Sequence, residues 1–228
     1  MTNIQANLQQ VRQRIAEAET RFGRATGSVR LLAVSKTRPA DDLLAAVAAG
    51  QTDFGESYLQ EALDKITALA DPTLEWHFIG PIQANKTRRI AEHFDWVHSI
   101  DRLKIAQRLG EQRPHGLPPL QVCLQVNISG ELSKSGATPA EVPDLARAVA
   151  ALPGLRLRGL MAIPAPEPDF ERQRSTFRAV RQLLEQLQQT GLPLDTLSMG
   201  MSGDMEAAIA EGATIVRIGT DIFGQRGG

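Results

Sequence analysis

The chain has 228 residues, 42% of them hydrophobic and 22% charged, with a formal net charge of −1. That is enough apolar material for one well-packed core, near the upper size for a single core. Scattered Lys and Arg with near-zero net charge argue against a nucleic-acid or membrane surface as the main partner, since both need clustered basic residues.

Residues 1–22 predict an amphipathic helix, with Ile4, Leu8, Val11, Ile15 and Ala18 recurring every three or four positions. The segment has no apolar signal-peptide core, and no stretch approaches the ~20 apolar residues of a membrane span, so a cytoplasmic protein is expected. Beyond it, short apolar runs alternate with longer helical patterns. Strands are predicted at 30–34, 52–55, 76–79, 96–99, 120–127, 156–162, 196–199 and 214–218. Helices are predicted at 39–49, 58–69, 86–93, 102–112, 139–152, 170–189 and 205–211. Pro39 and Pro139 stand in first turns, and Gly50, Gly110, Gly191 and Gly212 close helices.

Eight strands alternating with helices is the pattern of a parallel sheet covered by helices. Setting the first helix aside leaves roughly 25 residues per βα unit, the spacing of a (β/α)8 barrel. A doubly wound open sheet is the alternative, and the chain lacks the Gly-rich first turn expected of it. No linker divides the sequence. The expectation is a single-domain (β/α)8 TIM barrel over residues 1–228 with an extra N-terminal helix. Cys123 is the only cysteine and lies in an apolar run, so it reads as a packed thiol.

Barrels carry their chemistry at the C-terminal ends of the strands, and three motifs fall there. Lys36 ends the first strand in Ala33-Val34-Ser35-Lys36-Thr37. An amine with an apolar stem at a barrel mouth has its charged form disfavoured, which makes it an imine-forming nucleophile. The run Leu197-Ser198-Met199-Gly200-Met201-Ser202-Gly203-Asp204 follows strand seven. Its small residues let backbone N–H groups approach an anion, and Ser202 adds a hydroxyl. Val216-Arg217-Ile218-Gly219-Thr220 ends strand eight, with Gly219 and Thr220 as further phosphate donors. Taken singly, these are a surface lysine and two Gly-rich turns. Taken as a set, they match the phosphate site that many barrels build from the loops after strands seven and eight.

Strand alternation puts Ile215, Arg217 and Gly219 on one face, so Arg217 points into the barrel if Gly219 faces the mouth. The competing reading pairs Arg217 with an acidic neighbour. A Schiff-base lysine, a phosphate cup and an inward arginine at the pyridine nitrogen are the parts of a pyridoxal 5′-phosphate (PLP) site. Arginine keeps its proton, which leaves that nitrogen unprotonated and the ring a weak electron sink. Met199, Met201 and Met205 read as gap-filling apolar residues, and His77 as a core histidine satisfied by a hydrogen bond. The basic run at 85–89 reads as a solvated face. Glu56 and Asp101 follow strands two and four and could face the mouth. No His, Cys, Asp or Glu set has metal-ligand spacing, so no metal is expected.

The same residues carry a resemblance. The matching runs are Ala33-Val34-Ser35-Lys36-Thr37, Phe54-Gly55-Glu56-Ser57-Tyr58, Trp76-His77-Phe78-Ile79-Gly80, Gln83-Ala84-Asn85-Lys86 and His98-Ser99-Ile100-Asp101. They continue with Val126-Asn127-Ile128-Ser129, Ser133-Lys134-Ser135-Gly136, Gly159-Leu160-Met161, the two C-terminal motifs above and Ile222-Phe223-Gly224. On them the chain resembles, nearly end to end, the pyridoxal phosphate homeostasis proteins (the YggS/PROSC family). The resemblance implies a barrel like the N-terminal domain of alanine racemase (fold type III), with PLP as a Schiff base on Lys36. It implies phosphate contacts from Ser202, Gly219 and Thr220, and Arg217 at the pyridine nitrogen. It further implies a monomer without established catalytic activity that balances vitamin B6 and amino-acid pools, with PLP-requiring apo-enzymes as candidate recipients.

Two positions depart from the family pattern. Ser57 stands where Asn is usual, so a polar contact to the cofactor there is shorter or runs through water. Arg38 stands where a second lysine often follows, which removes an alternative point of attachment. Lys134 is left either as a lysine that assists transfer or as an exposed loop residue. A racemase or decarboxylase of this fold type needs a second domain and a second acid–base group. Four residues follow Gly224, so a carrier is expected rather than an enzyme. The alternatives are a weak amino-acid racemase and a Schiff-base aldolase of a phosphorylated sugar, and in the aldolase Arg217 would have no ring nitrogen to meet.

Overall fold

A computed structural model describes residues 3–130 and 135–225. Eight parallel strands close into a barrel in chain order: β1 (Arg30–Val34), β2 (Asp53–Glu56), β3 (Glu75–Phe78), β4 (Trp96–Ile100), β5 (Leu120–Val126), β6 (Leu155–Ala162), β7 (Thr196–Ser198) and β8 (Ile215–Ile218). Pairing of β1 with both β2 and β8 seals the ring. Helix α1 (Ile4–Arg21) precedes β1. The others are α2 (Ala40–Ala48), α3 (Leu59–Leu69), α4 (Thr87–His93), α5 (Leu103–Gln112), α6 (Val142–Ala150), α7 (Phe170–Gln189), α8 (Met205–Ala210) and a short α9 (Thr220–Phe223). The single-domain barrel expected from the alternation is the observed fold.

Two boundaries depart from the sequence expectation for identifiable reasons. Helix α6 starts at Val142, not at 139, because Pro143 takes the first-turn place where a missing N–H is harmless. Glu141 ties down the preceding turn, accepting from both the Thr138 N–H (2.8 Å) and its hydroxyl (2.7 Å). Likewise Pro39 is the N-cap of α2 and not inside its first turn. Helix α9 is too short to leave a helical period in the sequence.

The N-terminal helix forms as its pattern predicts: Ile4, Leu8, Val11, Ile15 and Ala18 are all buried, and Asn3 caps it by accepting from the Ala6 N–H at 3.0 Å. It packs against α2, α8 and α9, beside the end of the barrel. Strand alternation then separates two cores. Outward-facing residues such as Phe54, Phe78, Val97 and Leu124 pack against the helices. Inward-facing Leu32, Trp96, Cys123, Met161 and Ile215 fill the lumen. Burial pushes the Cys123 thiol up to about 12, so it is packed and inert, as expected.

Close strand packing depends on Gly159 of β6, where a Cβ would lie 1.9 Å from the Thr196 carbonyl oxygen of β7. Gly159→Ala is therefore expected to separate β6 from β7 and cost about 3 kcal/mol of stability, read as a lower urea midpoint. A midpoint equal to wild type would show that the strands absorb the methyl.

At the N-terminal end of the barrel Arg30 bridges Asp53 and Glu75, lying 2.8 Å from the latter. Trp96 Nε1 donates to Glu75 at 3.2 Å. The spacing of these residues in the chain does not announce a cluster, yet neighbouring strands bring Asp53, Glu75 and His77 within 4.8 Å of one another. Arg30 holds the cationic place among them, so the arrangement is an ion-pair cluster. Contact with His77, and then with Arg30, brings the Glu75 carboxyl down from 4.5 to about 2. Asp53 is lowered too, its contacts with His77 and Arg30 outweighing burial. A depressed native value stabilises the fold above the unfolded value and loses that contribution as pH falls. Stability should accordingly decline between pH 4.5 and about 2, and Glu75→Gln should flatten that acid limb in thermal melts. Among the described residues no helix is long and apolar enough to cross a membrane.

Candidate functional site

The C-terminal ends of the strands enclose a cavity of about 270 Å³. It is lined by Val34, Lys36, Ser57, Ile79, Ile163, Met201, Ser202, Gly203, Arg217, Gly219 and Thr220. Every described residue singled out as a site candidate is thus in one place: Lys36, Ser57, Ser202, Arg217, Gly219 and Thr220. Lys134 lies outside the described residues. Among the described residues the lining combines two cationic side chains, three hydroxyls and apolar walls, and contains no carboxylate. Such a site favours an anion. Its volume is at the small end of the ~300–1,000 Å³ typical of drug-sized ligands, which suits a single ring with a phosphate.

Lys36 is held in place through its neighbours. Thr37 has φ +64°, a left-handed conformation that a β-branched residue adopts only under constraint. Its N–H donates to Glu61 Oε1 on α3 at 2.5 Å. Ser35 donates its hydroxyl to Glu56 at 2.7 Å, and Lys65 Nζ reaches the Ser35 carbonyl at 2.7 Å, Glu56 at 2.7 Å and Glu61 at 2.5 Å. Both flanks of Lys36 are therefore clamped by α3 and β2. This corrects the expectation that Glu56 faces the mouth. Gly55 takes the inward position, against Leu32 and Ile79, so alternation sends Glu56 outward to Lys65. Burial raises the Glu56 carboxyl despite Lys65 and Ser35. Lys65 was not foreseen, although a lysine between the apolar positions Ala62, Leu63 and Ile66 is the signal that marks it.

Arg217 points inward as the β8 alternation predicts, with Ile215 in the luminal core below it. One terminal nitrogen donates to the Ser198 carbonyl (2.5 Å) and hydroxyl (2.9 Å), and the other to the Ala162 carbonyl (2.9 Å). All of these acceptors are neutral, which overturns the ion-paired alternative. Burial lowers its pKa to about 10, so the guanidinium stays charged at neutral pH.

Glycines bring the site's edges together. A Cβ on Gly80 would lie 2.3 Å from the Ser57 carbonyl oxygen, and one on Gly219 would lie 3.1 Å from that of Val34. In the loop after β7, the Met201 N–H is committed to Asp204 Oδ1 at 2.6 Å, so Ser202 and Gly203 are what that loop presents to the cavity. Gly200, at φ +97°, turns the chain there. Met201 consequently emerges as a half-exposed cavity wall, unlike buried Met199 and Met205, and is not the gap-filler expected. Asp101 pairs with Arg102 at 2.8 Å, and Arg38 donates to the Gly224 carbonyl; neither lines the cavity. Lys86, Arg88 and Arg89 are exposed, as a solvated face should be.

Comparison with known proteins bears on the family and the fold. A family model described as the alanine racemase N-terminal domain matches residues 2–227. The chain is 63% identical over 226 residues to a pyridoxal phosphate homeostasis protein of Pseudomonas aeruginosa, covering 99% of this chain and 97% of the relative. It is 57% identical over 229 residues to the protein of that name from Escherichia coli, covering 99% and 98%. Among solved structures, it is similar to PipY of Synechococcus elongatus with PLP bound, at TM-score 0.80 and 39% identity over 92% of this chain and 99% of that one. An alanine racemase of Clostridium difficile shares the fold at TM-score 0.77 and 14% identity, with 99% of this chain matching 57% of the racemase.

Proposed function

The chain belongs to the pyridoxal phosphate homeostasis proteins, whose fold is that of the alanine racemase N-terminal domain, and on that premise we propose that it binds PLP at the barrel mouth in the service of vitamin B6 and amino-acid homeostasis. The observation that carries this reading is a cavity with an amine, a buried guanidinium and three hydroxyls and, among the described residues, no carboxylate. PLP, when bound, supplies an aldehyde and an electron-accepting ring. Lys36 is the point of covalent attachment. Ser202, Gly219 and Thr220 hold the phosphate with hydroxyl and backbone donors, and Ser57 offers a polar contact at the rim. Arg217 meets the pyridine nitrogen as a donor that keeps its own proton.

The role is that of a carrier. Among the described lining residues Lys36 is the only amine, and none is a carboxylate, histidine or tyrosine that could serve as a second acid–base group. An arginine at the ring nitrogen leaves the ring a weak electron acceptor. Half-exposed Ile163 and Met201 leave the mouth accessible for release to PLP-requiring apo-enzymes, from a monomer in the cytoplasm.

Borohydride reduction of the PLP-loaded protein, followed by digestion and mass spectrometry, should place a pyridoxyl group on the Lys36 peptide. A protein that takes up no PLP would sink the reading. Sustained formation of D-alanine from L-alanine by the loaded protein would instead overturn the non-catalytic role.

A further inference from the structure

The lumen beneath the cavity contains polar side chains that hold no ligand in the reading above. His77 on β3 and His98 on β4 are buried, and His77 Nδ1 lies 2.9 Å from His98 Nε2. His98 Nδ1 reaches across the barrel to Ser198 Oγ on β7 at 2.7 Å, and that oxygen accepts from Arg217 at 2.9 Å. At the other end, His77 Nε2 faces Asp53 Oδ1 at 3.4 Å and Glu75 Oε2 at 3.7 Å. The contacts therefore run from the mouth to the opposite end of the barrel.

Both ends impose the same polarity. A guanidinium donates and cannot accept, so the hydroxyl hydrogen of Ser198 is left to point at His98 Nδ1. His98 then carries its proton on Nε2 and donates to His77 Nδ1. His77 in turn carries its proton on Nε2, aimed at two carboxylates that only accept. Burial, with the neighbouring His77, Arg217 and Arg30, lowers His98 well below the usual histidine value, so its ring is neutral. The charged or titratable groups facing these rings are Arg30 from β1, Asp53 from β2, Glu75 from β3, Cys123 from β5 and Arg217 from β8, with Arg158 of β6 over Trp96.

A buried cation needs compensation, and Arg217 hydrogen-bonds only neutral acceptors, with the Asp204 carboxylate as an opposing charge not bonded to it. The orientation of the guanidinium therefore depends on those neutral acceptors, Ser198 among them. On the PLP reading above, we propose that Ser198, His98 and His77 are positioning residues, a one-directional relay, anchored by Asp53 and Glu75 at the far end of the barrel, that holds the Arg217 guanidinium in register at the mouth.

The relay can be tested first without PLP. Two-bond 1H–15N spectra of the histidine-labelled apo-protein should show His98 as a neutral Nε2–H tautomer from pH ~5.5 to ~9, and the proton of neutral His77 on Nε2. A neutral ring of either histidine with its proton on Nδ1, or titration of His98 near the ordinary value of ~6.5, would overturn the proposal whatever PLP does. Ser198→Ala should then disturb the His98 tautomer and, in the loaded protein, speed PLP release on the order of ten-fold, the loss of one charged hydrogen bond.

Glu75→Gln, at the partly exposed far end, is the second variant and should shift the His98 nitrogen resonances. Because Trp96 donates to Glu75 and lies against both rings, the relay is read from the tautomer populations, which packing alone leaves unchanged. Unchanged His98 resonances in both variants would defeat the relay. If the protein takes up no PLP, the binding reading fails, and the tautomers still decide this one.

Discussion

Lys36→Ala protein mixed with PLP is expected to remain without the visible absorption band that the unaltered protein acquires, and to lose at least ~100-fold in affinity, about 2.7 kcal/mol. No other described lysine is placed to substitute. Lys65 Nζ is buried behind the Ser35–Thr37 segment and already reaches a carbonyl and two carboxylates. Position 38 is an arginine, directed to the Gly224 carbonyl. Ser202, Thr220 and Arg217 still line the cavity in the variant, so weak, salt-sensitive binding should persist in equilibrium dialysis. A variant that retains the band would move the attachment to a different amine and undo the assignment of Lys36.

Lys65→Met should be the most destabilising single change near the site, at about 3–5 kcal/mol, because it leaves a buried carboxylate without its cation. Glu56 is fully buried, and among the described residues its hydrogen-bond donors are Lys65 and Ser35. The sign with pH follows from Glu56. Its native pKa is already raised by burial, and removal of Lys65 raises it further. The deficit should thus be greatest near neutral pH and shrink as pH falls through that raised value, where the folded variant binds a proton more readily than the unfolded chain. Urea titrations at neutral and at mildly acidic pH measure both effects.

A loss under ~1 kcal/mol at neutral pH would mean that Glu56 finds water or another donor. The double variant Glu56→Gln/Lys65→Met should recover part of the loss, since no unpaired charge is then buried. Lys65→Met also frees the Thr37 turn, so slower PLP uptake should accompany the lower stability. Glu61 remains as the acceptor of the Thr37 N–H, which limits that effect to a change in rate.

The barrel and the site candidates on its mouth were legible in the chain because the signals that define them are local. Alternation of apolar runs with helical patterns specifies parallel strands, and in any barrel the C-terminal strand ends converge. Lys36, Ser202, Arg217, Gly219 and Thr220 all lie at or just beyond such ends, so their meeting follows once the barrel is recognised. The inward face of Arg217 was equally readable, since Ile215 and Gly219 share its parity along β8.

What supports those residues was decided by tertiary structure. The clamp on Lys36 joins positions 9 to 30 residues apart through Lys65, and the His98–Ser198 contact spans 100 residues across the lumen. No periodicity records such pairs. Glu56 shows the limit most directly: β2 has four residues, and a shift of one would exchange the inward glycine for the carboxylate. The register of β2 against β3, with Gly55 opposite His77, sends Glu56 outward to Lys65 and keeps the carboxylate away from the mouth. Arg217 follows the same logic. Its direction came from strand parity, but its neutral acceptors belong to other strands, placed by closure of the ring.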